Sequence, residues 1–308
     1  MQHVFDRCRP LIDGAVANYI PELALVDPEQ FGLAATTLTG ETAGFGDVDT
    51  PFTIQSVSKP FAYALALELR GFDVVDAHID VEPSGEAFNQ FSLDPATGHP
   101  RNAMINAGAI AATSLIPGDA DRATPALLDY LSRFVGHTIA VDEKVYRSES
   151  ETGHRNRAIA HLLRSVDVLE GSPDDVLDTY FRQCSALVST RDLSMMAATL
   201  ANGGVQPVTG DVLISPLVLR RVLSVMATCG LYDGAGDWLT NVGLPAKSGV
   251  SGAIMAVLPG RVGAAAWSPR LNEHGNSMRG VAAFRMLSDE FGLHVFEVHH
   301  SIADARTR

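Results

Sequence analysis

The chain has 308 residues, 46% hydrophobic and 19% charged, enough to bury a large core as one big domain or two modest ones. Its formal net charge of −13, with no Lys/Arg cluster to override it locally, repels phosphate backbones and anionic lipid and argues against nucleic-acid binding. No apolar run approaches the roughly 20 residues of a membrane helix, and "MQHVFDRCRPLIDG" lacks the basic-then-apolar layout of a secretory signal, so a soluble, cytoplasmic chain without a membrane partner is expected.

In chain order, an amphipathic stretch over residues 4–18 precedes "FGLAATTLTGETAGFGDVD". There, two β-favouring runs flank a Thr-Gly turn and predict a hairpin over 31–47. Helical spacing of apolar residues follows over 60–70, 122–135, 157–169, 174–184, 191–203 and 216–228, with Gly, Pro or Asp signals between. Then "GAIMAVLP" and "RVGAAAWSP" read as strands across a Pro-Gly turn, "NSMRGVAAFRMLSDEF" as a capped helix and "LHVFEVH" as a final strand. Strands at both ends and helices between predict an α+β fold. An antiparallel sheet is completed by the N- and C-terminal segments, with a helical subdomain inserted and a cleft where the two meet. The approximate division is 1–55 plus 205–308 for the sheet-containing part and 56–204 for the helical part, within one domain of 1–308. Cys8, Cys184 and Cys229 are far apart and lack CxxC spacing, so they read as buried thiols, neither a disulfide framework nor a zinc site. His294, His299 and His300 fall on the expected terminal strand without other ligands nearby, so no metal is assigned there.

Lysine usage points to chemistry. Of 23 basic residues only Lys59, Lys144 and Lys247 are lysine, and Lys59 stands three positions after Ser56 in "FTIQSVSKPF". On a first helical turn that spacing brings both side chains to one face. A serine hydroxyl needs a base to become a nucleophile, and a lysine serves when burial lowers its pKa enough to populate the neutral amine. Arginine cannot, because its guanidinium stays protonated. Alone, Ser-x-x-Lys is a weak pattern that also suits a solvated helix start. A second one follows in "GLPAKSGVSGAIMAV", where Lys247-Ser248-Gly249 opens an expected strand, as the K-[ST]-G sequence does in serine β-lactamases and penicillin-binding proteins. A strand edge there can offer backbone N–H groups to an oxyanion, with the N–H of Ser56 as the other donor.

No S-x-N motif stands between the two lysines in the β-lactamase position. Instead "GAVANYIPELA", "FTIQSVSKPF", "EPSGEAFN", "RNAMINAGAI", "SESETGHRNRAIA", "CGLYDGAGDW" and "GLPAKSGVSGAI" run in order from residue 14 to about residue 280. In these blocks the chain closely resembles the serine-dependent glutaminases of the β-lactamase/penicillin-binding-protein superfamily. The resemblance implies a serine β-lactamase/DD-peptidase-like fold and hydrolysis of L-glutamine to L-glutamate and ammonia through an acyl-enzyme, without a metal or cofactor. It makes Ser56 the nucleophile and Lys59 its base, and carries glutamine binding to Asn106, Glu149, Asn156, Tyr180, Tyr232 and Val250. Tyr19 in "NYIPEL" matches a family active-site tyrosine. Two departures touch no catalytic group: Ser251-Gly252 stands where Gly-Gly is more usual, and Pro60 follows the lysine where an aliphatic residue is more usual.

On this reading the Ser56 and Val250 amides hold the oxyanion, and Tyr232, with Tyr19 second, relays a proton to the leaving nitrogen. Lys247 keeps its charge and lowers the proton affinity of its neighbours. Glu149 pairs with the substrate's ammonium, while Asn106, Asn156 and Tyr180 orient it. Blander roles stay open: a helix cap for Asn106, a solvated acidic face for Glu149, a core ring for Tyr180 and a turn residue for Tyr232. Rival functions are a β-lactamase or esterase on the same scaffold, or a binding protein that lost the reaction. A homo-oligomer, dimer or tetramer, is expected from the resemblance alone.

Overall fold

The computed structural model describes residues 1–18, 20–85 and 93–297. Its main sheet is built from both ends of the chain. Strands β1 (Gly32–Thr37) and β2 (Thr42–Gly46) form the expected hairpin, while β3 (Phe52–Thr53) and β4 (Leu187–Val188) make a separate two-stranded pair. Strands β5 (Ala246–Gly249), β6 (Ala253–Leu258) and β7 (Val262–Trp267) complete a five-stranded antiparallel sheet in the order β2-β1-β7-β6-β5. Alternation along these strands divides their side chains between two faces. Ala34, Ala265, Met255 and Lys247 share one register row. Met255, Ala265 and Trp267 join the core on the helical side, and Ile254, Ala256 and Ala266 join the core on the other.

Small residues let the next layer approach closely. A β-carbon on Gly263 would stand 2.0 Å from the backbone nitrogen of Ala198, so helix α9 (Thr190–Ala201) lies directly on β7. Thr36 Oγ1 and Ser194 Oγ bond across that interface at 2.7 Å. The opposite face is covered by α1 (Gln2–Cys8) and α12 (Met278–Phe291), where Phe5 stacks on Phe31 and Trp238 meets Phe284 edge-on.

Around the helical core run α2 (Lys59–Arg70), α3 (Phe72–Asp76), α4 (Asn106–Ser114), α5 (Ala120–Val135), α6 (Glu143–Thr152), α7 (His154–Ser165), α8 (Pro173–Cys184) and α10 (Pro216–Cys229), with α11 (Ala235–Asn241) leading back to the sheet. Helices α2 and α4 are its centre. Every residue of α2 from Lys59 to Leu67 is buried, as is α4 from Ala107 to Ser114. Gly108 allows that packing: a β-carbon there would fall 1.9 Å from the Asn102 carbonyl oxygen.

The six internal helices expected from periodicity are present, with ends shifted by up to four residues, and the architecture is the β-lactamase-like one expected. Two expectations need correction. The amphipathic stretch over 4–18 is helical only to Cys8, because Pro10 cannot continue the hydrogen-bond ladder and Gly14 turns the backbone at φ +88°. The final strand is not formed over 293–297. Gly292 ends α12 in the left-handed conformation, and His294 donates from Nε2 to the Leu239 carbonyl while its Nδ1 accepts from the Phe296 amide. The last two positions of that expected strand, with His299 and His300, lie outside the described residues. Among the described residues no helix is long and apolar enough to cross a membrane.

Candidate active site

Ser56 lies on a 3₁₀ turn, Gln55–Ser58, that runs without a break into α2 at Lys59. The Ser-x-x-Lys pair therefore occupies one continuous helical turn. Pro60 falls in the first turn of α2, where a missing N–H forfeits no helical bond. The turn is entered through Gln55, whose φ of +50° is left-handed, a conformation few non-glycine residues adopt without support.

Ser56 is half-buried at the edge of a cavity of about 330 Å³ that Asn106, Glu149, Asn156, Tyr180 and Val250 also line. These come from α4, α6, α7, α8 and the β5–β6 turn, so residues dispersed over the chain meet in one place. Lys59, Tyr232 and Lys247 are buried behind the serine. The Ser56 side chain lies beside the Tyr232 hydroxyl, whose ionised form it favours. Lys59 Nζ donates to Asn106 Oδ1 at 2.7 Å and to the Met104 carbonyl at 3.2 Å, and Asn106 Nδ2 donates to Asn156 Oδ1 at 3.0 Å. Asn106 is thus both a lining residue and a tether for the amine. Tyr19 lies outside the described residues.

Alternation along β5 turns Lys247 toward the helical side. Its Nζ donates to the carbonyls of Gly230 and Ser248, each at 2.8 Å, and stands 3.9 Å from the centre of the Tyr232 ring. Lys59 Nζ is 5.6 Å from the same ring centre. Like Gln55, Tyr232 is held at positive φ, +55°. At Gly249 a β-carbon would come within 3.2 Å of the Ile54 carbonyl oxygen and of Val57 Cγ2, so the end of β5 lies against the turn that carries Ser56.

Burial sets the electrostatics. Loss of hydration brings Lys59 from 10.5 to about 7, so the neutral amine is populated at neutral pH. The same effect pushes Glu149 up to about 7, opposed by a hydrogen bond from Gln55 and by the Lys59 charge. Tyr232 and Tyr180 are raised by burial, Tyr232 against the opposing effect of the neighbouring Ser56. At Lys247 desolvation first, and repulsion from Lys59 second, drive the pKa well below the ordinary value.

Reading the sequence did not single out Gln55, Cys184, Arg155 or Phe181, which line the same cavity. Gln55 Nε2 donates to Glu149 Oε1 at 2.6 Å and to Thr53 Oγ1 at 3.3 Å. Its one sequence signal was a lone amide between Ile54 and Ser56. Cys184 is a buried thiol beside the Tyr180 hydroxyl, raised by burial and by the nearby Glu149.

A sequence profile of the glutaminase family matches residues 14–296. The chain belongs to the glutaminase family. As a member it is a hydrolase of a linear carboxamide. A glutaminase of Trichormus variabilis is 50% identical over 290 residues, covering 94% of this chain and 87% of its own. Among solved structures, Mglu in its glutamate form superposes with a TM-score of 0.93 at 45% identity, covering 97% of this chain and 69% of Mglu. The probable glutaminase YbaS gives 0.94 at 38% identity, covering 96% of this chain and 97% of YbaS.

Proposed function

We propose that the chain hydrolyses L-glutamine to L-glutamate and ammonia through an acyl-enzyme on Ser56. The observation that carries this reading is the pairing, in one cavity, of a serine hydroxyl beside Tyr232 with a carboxylate, Glu149. A glutamine presents its side-chain amide to the first and its α-ammonium to the second. The glutamate form of Mglu, a structural relative, is in keeping with that ligand class.

In the acylation step Ser56 Oγ forms a bond to the amide carbonyl carbon while its proton passes through Tyr232 to the neutral Lys59 amine. The Ser56 and Val250 amides receive the negative charge that develops on the carbonyl oxygen. The carbon–nitrogen bond then breaks as the relay returns the proton to nitrogen, releasing ammonia and leaving an ester on Ser56. Water, deprotonated by the same amine, attacks that ester; glutamate departs and Ser56 regains its proton. Lys247 acts from the far side of the Tyr232 ring, where any charge it carries favours the phenolate. Glu149 receives the ammonium, and Asn106, Asn156 and Tyr180 fix the rest of the substrate by neutral hydrogen bonds. Tyr19 is kept as the second tyrosine of the site on the strength of the family motif.

The sheet-containing and helical parts are read as one catalytic unit, since β5 and α2 both contribute to it. Self-association into a homo-oligomer belongs to the same proposal by family resemblance. A cytoplasmic location does too, supported by three free, buried cysteines. The test is glutamate release from L-glutamine by purified protein, beside Ser56→Ala and with L-asparagine as rival substrate. Turnover of glutamine that vanishes in Ser56→Ala is the expected outcome. A folded wild-type protein that releases no glutamate, or a Ser56→Ala variant that still does, overturns the reading.

A further inference from the structure

We infer that Gln183 is a positioning residue for the nucleophile, holding the turn that carries Ser56 through the hydroxyl of Ser58. The inference rests on the reading of Ser56 given above and extends it to two side chains that do not line the cavity.

The turn needs a hold from outside. Its first residue, Gln55, has a left-handed backbone at φ +50°, which a non-glycine residue keeps only where its surroundings over-determine it. Within the turn, Ser58 Oγ donates to the Gln55 carbonyl at 2.7 Å and so closes a ring across Ser56 and Val57. A hydroxyl has one proton to give and rotates freely unless a second bond fixes it. That second bond comes from α8, where Gln183 Nε2 donates to Ser58 Oγ at 2.8 Å. With a lone pair taken up by Gln183, the Ser58 oxygen commits its proton to Gln55. The amide is steadied from behind by α4: Thr113 Oγ1 stands 3.3 Å from Gln183 Oε1 and 2.9 Å from the Ala109 carbonyl.

Ser58, Gln183 and Thr113 are all buried, so bulk water does not compete for these bonds. An apolar side chain of glutamine's size would fill the same space, but it could not orient a hydroxyl. The placement on α8 adds a second argument. Tyr180 and Cys184 of this helix line the cavity, while Gln183 turns to Ser58. One helix thus fixes both a residue that faces the substrate and the turn from which the attack comes. Without Gln183 the Ser58 hydroxyl loses its fixed direction, and the slack falls on Ser56 Oγ and on the Ser56 N–H. The first is the attacking atom and the second an oxyanion donor, so the loss belongs to the transition state rather than to binding.

The test is a double-mutant cycle on Ser58→Ala and Gln183→Met, since methionine keeps the length of glutamine and removes its donors. Two rates are measured on the four proteins beside their thermal midpoints: turnover of L-glutamine, and labelling of Ser56 by a fluorophosphonate, read by intact mass. Each single variant is expected to lower kcat and the labelling rate about tenfold, with KM for L-glutamine within about twofold of wild type. Because both act through one hydroxyl, the double variant should match Ser58→Ala instead of reaching the roughly hundredfold loss of independent effects. A merely structural Gln183 would lower the midpoint and leave both rates of the folded protein unchanged, or would multiply with Ser58→Ala, and either result overturns the inference. A loss carried by KM overturns it too. Gln183→Leu repeats the measurement, and failure of both Gln183 variants to fold would mean that the residue serves folding instead. Labelling separates the two readings: a wild-type protein that is labelled on Ser56 but releases no glutamate refutes the proposed function, while the labelling cycle still decides the role of Gln183. A Ser56 that neither labels nor supports turnover is no nucleophile, and the inference falls with it.

Discussion

Replacing Lys59 by methionine should alter the pH dependence of stability in a way that follows from burial. The amine is fully enclosed, and its pKa falls from 10.5 to about 7. Between those two values the unfolded chain binds a proton that the folded chain has released, so this group makes stability rise with pH across that window. Below about 7 both states are protonated and its contribution is flat. At about 1.4 kcal/mol per pH unit, the lysine costs the folded state roughly 4 kcal/mol at pH 7. About 2 kcal/mol of this is recovered on going to pH 9. Methionine has nothing to titrate, but it leaves Asn106 Oδ1 and the Met104 carbonyl without their donor, a pH-independent loss of about 1–3 kcal/mol for each acceptor. Urea unfolding of both proteins at pH 7 and pH 9 isolates the titrating part. The wild-type protein should gain on Lys59→Met by about 2 kcal/mol between the two pH values, whatever the gap at either one. Glutamate release should be lost in the variant at both. A gap that stays constant with pH would mean that Lys59 is not held near neutrality, and the argument for it as the base would lose its physical ground.

Further outcomes are expected. The pH profile of kcat/KM should fall below about pH 7 more steeply than a single protonation allows, because Lys59 and Glu149 both gain a proton there; a flat profile down to pH 5 would contradict this. Tyr232→Phe removes the hydroxyl beside Ser56 and should lower kcat by roughly 10²- to 10³-fold with little change in KM, as steady-state kinetics can show. Gly108→Ala drives a β-carbon against the Asn102 carbonyl at 1.9 Å and should destabilise the protein by about 3 kcal/mol or more, read as a drop in thermal midpoint. Gly249→Ala meets the Ile54 carbonyl at 3.2 Å and should displace the Ser56 turn by a few tenths of an ångström, lowering kcat about tenfold without unfolding the chain.

What the sequence disclosed follows a physical pattern. Amphipathic helices such as α5 and α8 announce themselves because one face is wet, and the hairpin of β1 and β2 because a turn separates two β-favouring runs. Helix α4 gives no such signal: "NAGAIAATS" is buried nearly all round, so no wet face imposes a period. Helix α6 fails in the opposite way, since "EKVYRSESET" is too polar to show a stripe even though Glu149 on it is buried. At the terminal stretch, "LHVFEVH" alternates like a strand, but it follows a left-handed glycine and has no partner strand over its described part. For the site, Ser56 and Lys59 are legible because serine and lysine at that spacing have few other uses in a lysine-poor chain. Gln55 is not, because its place at the site depends on a backbone angle and on a carboxylate 94 positions away. The downward pull on the Lys247 pKa is not legible either, because burial depth and a second amine nearby belong to the folded state alone.

The sheet topology governs when this site can come into being. Strand β1 closes against β7, with Gly32 paired to Trp267, so the early hairpin and the late strands are joined in the interior of the sheet. A chain emerging from the ribosome displays Ser56 and Lys59 long before Lys247 and Val250 exist. Until β5, β6 and β7 arrive, the first hairpin has no neighbour in the main sheet and the site lacks the wall that the β5–β6 turn supplies. The long loop closure that slows such a fold also defers its chemistry, since the cavity is complete only once β5 to β7 have joined the hairpin.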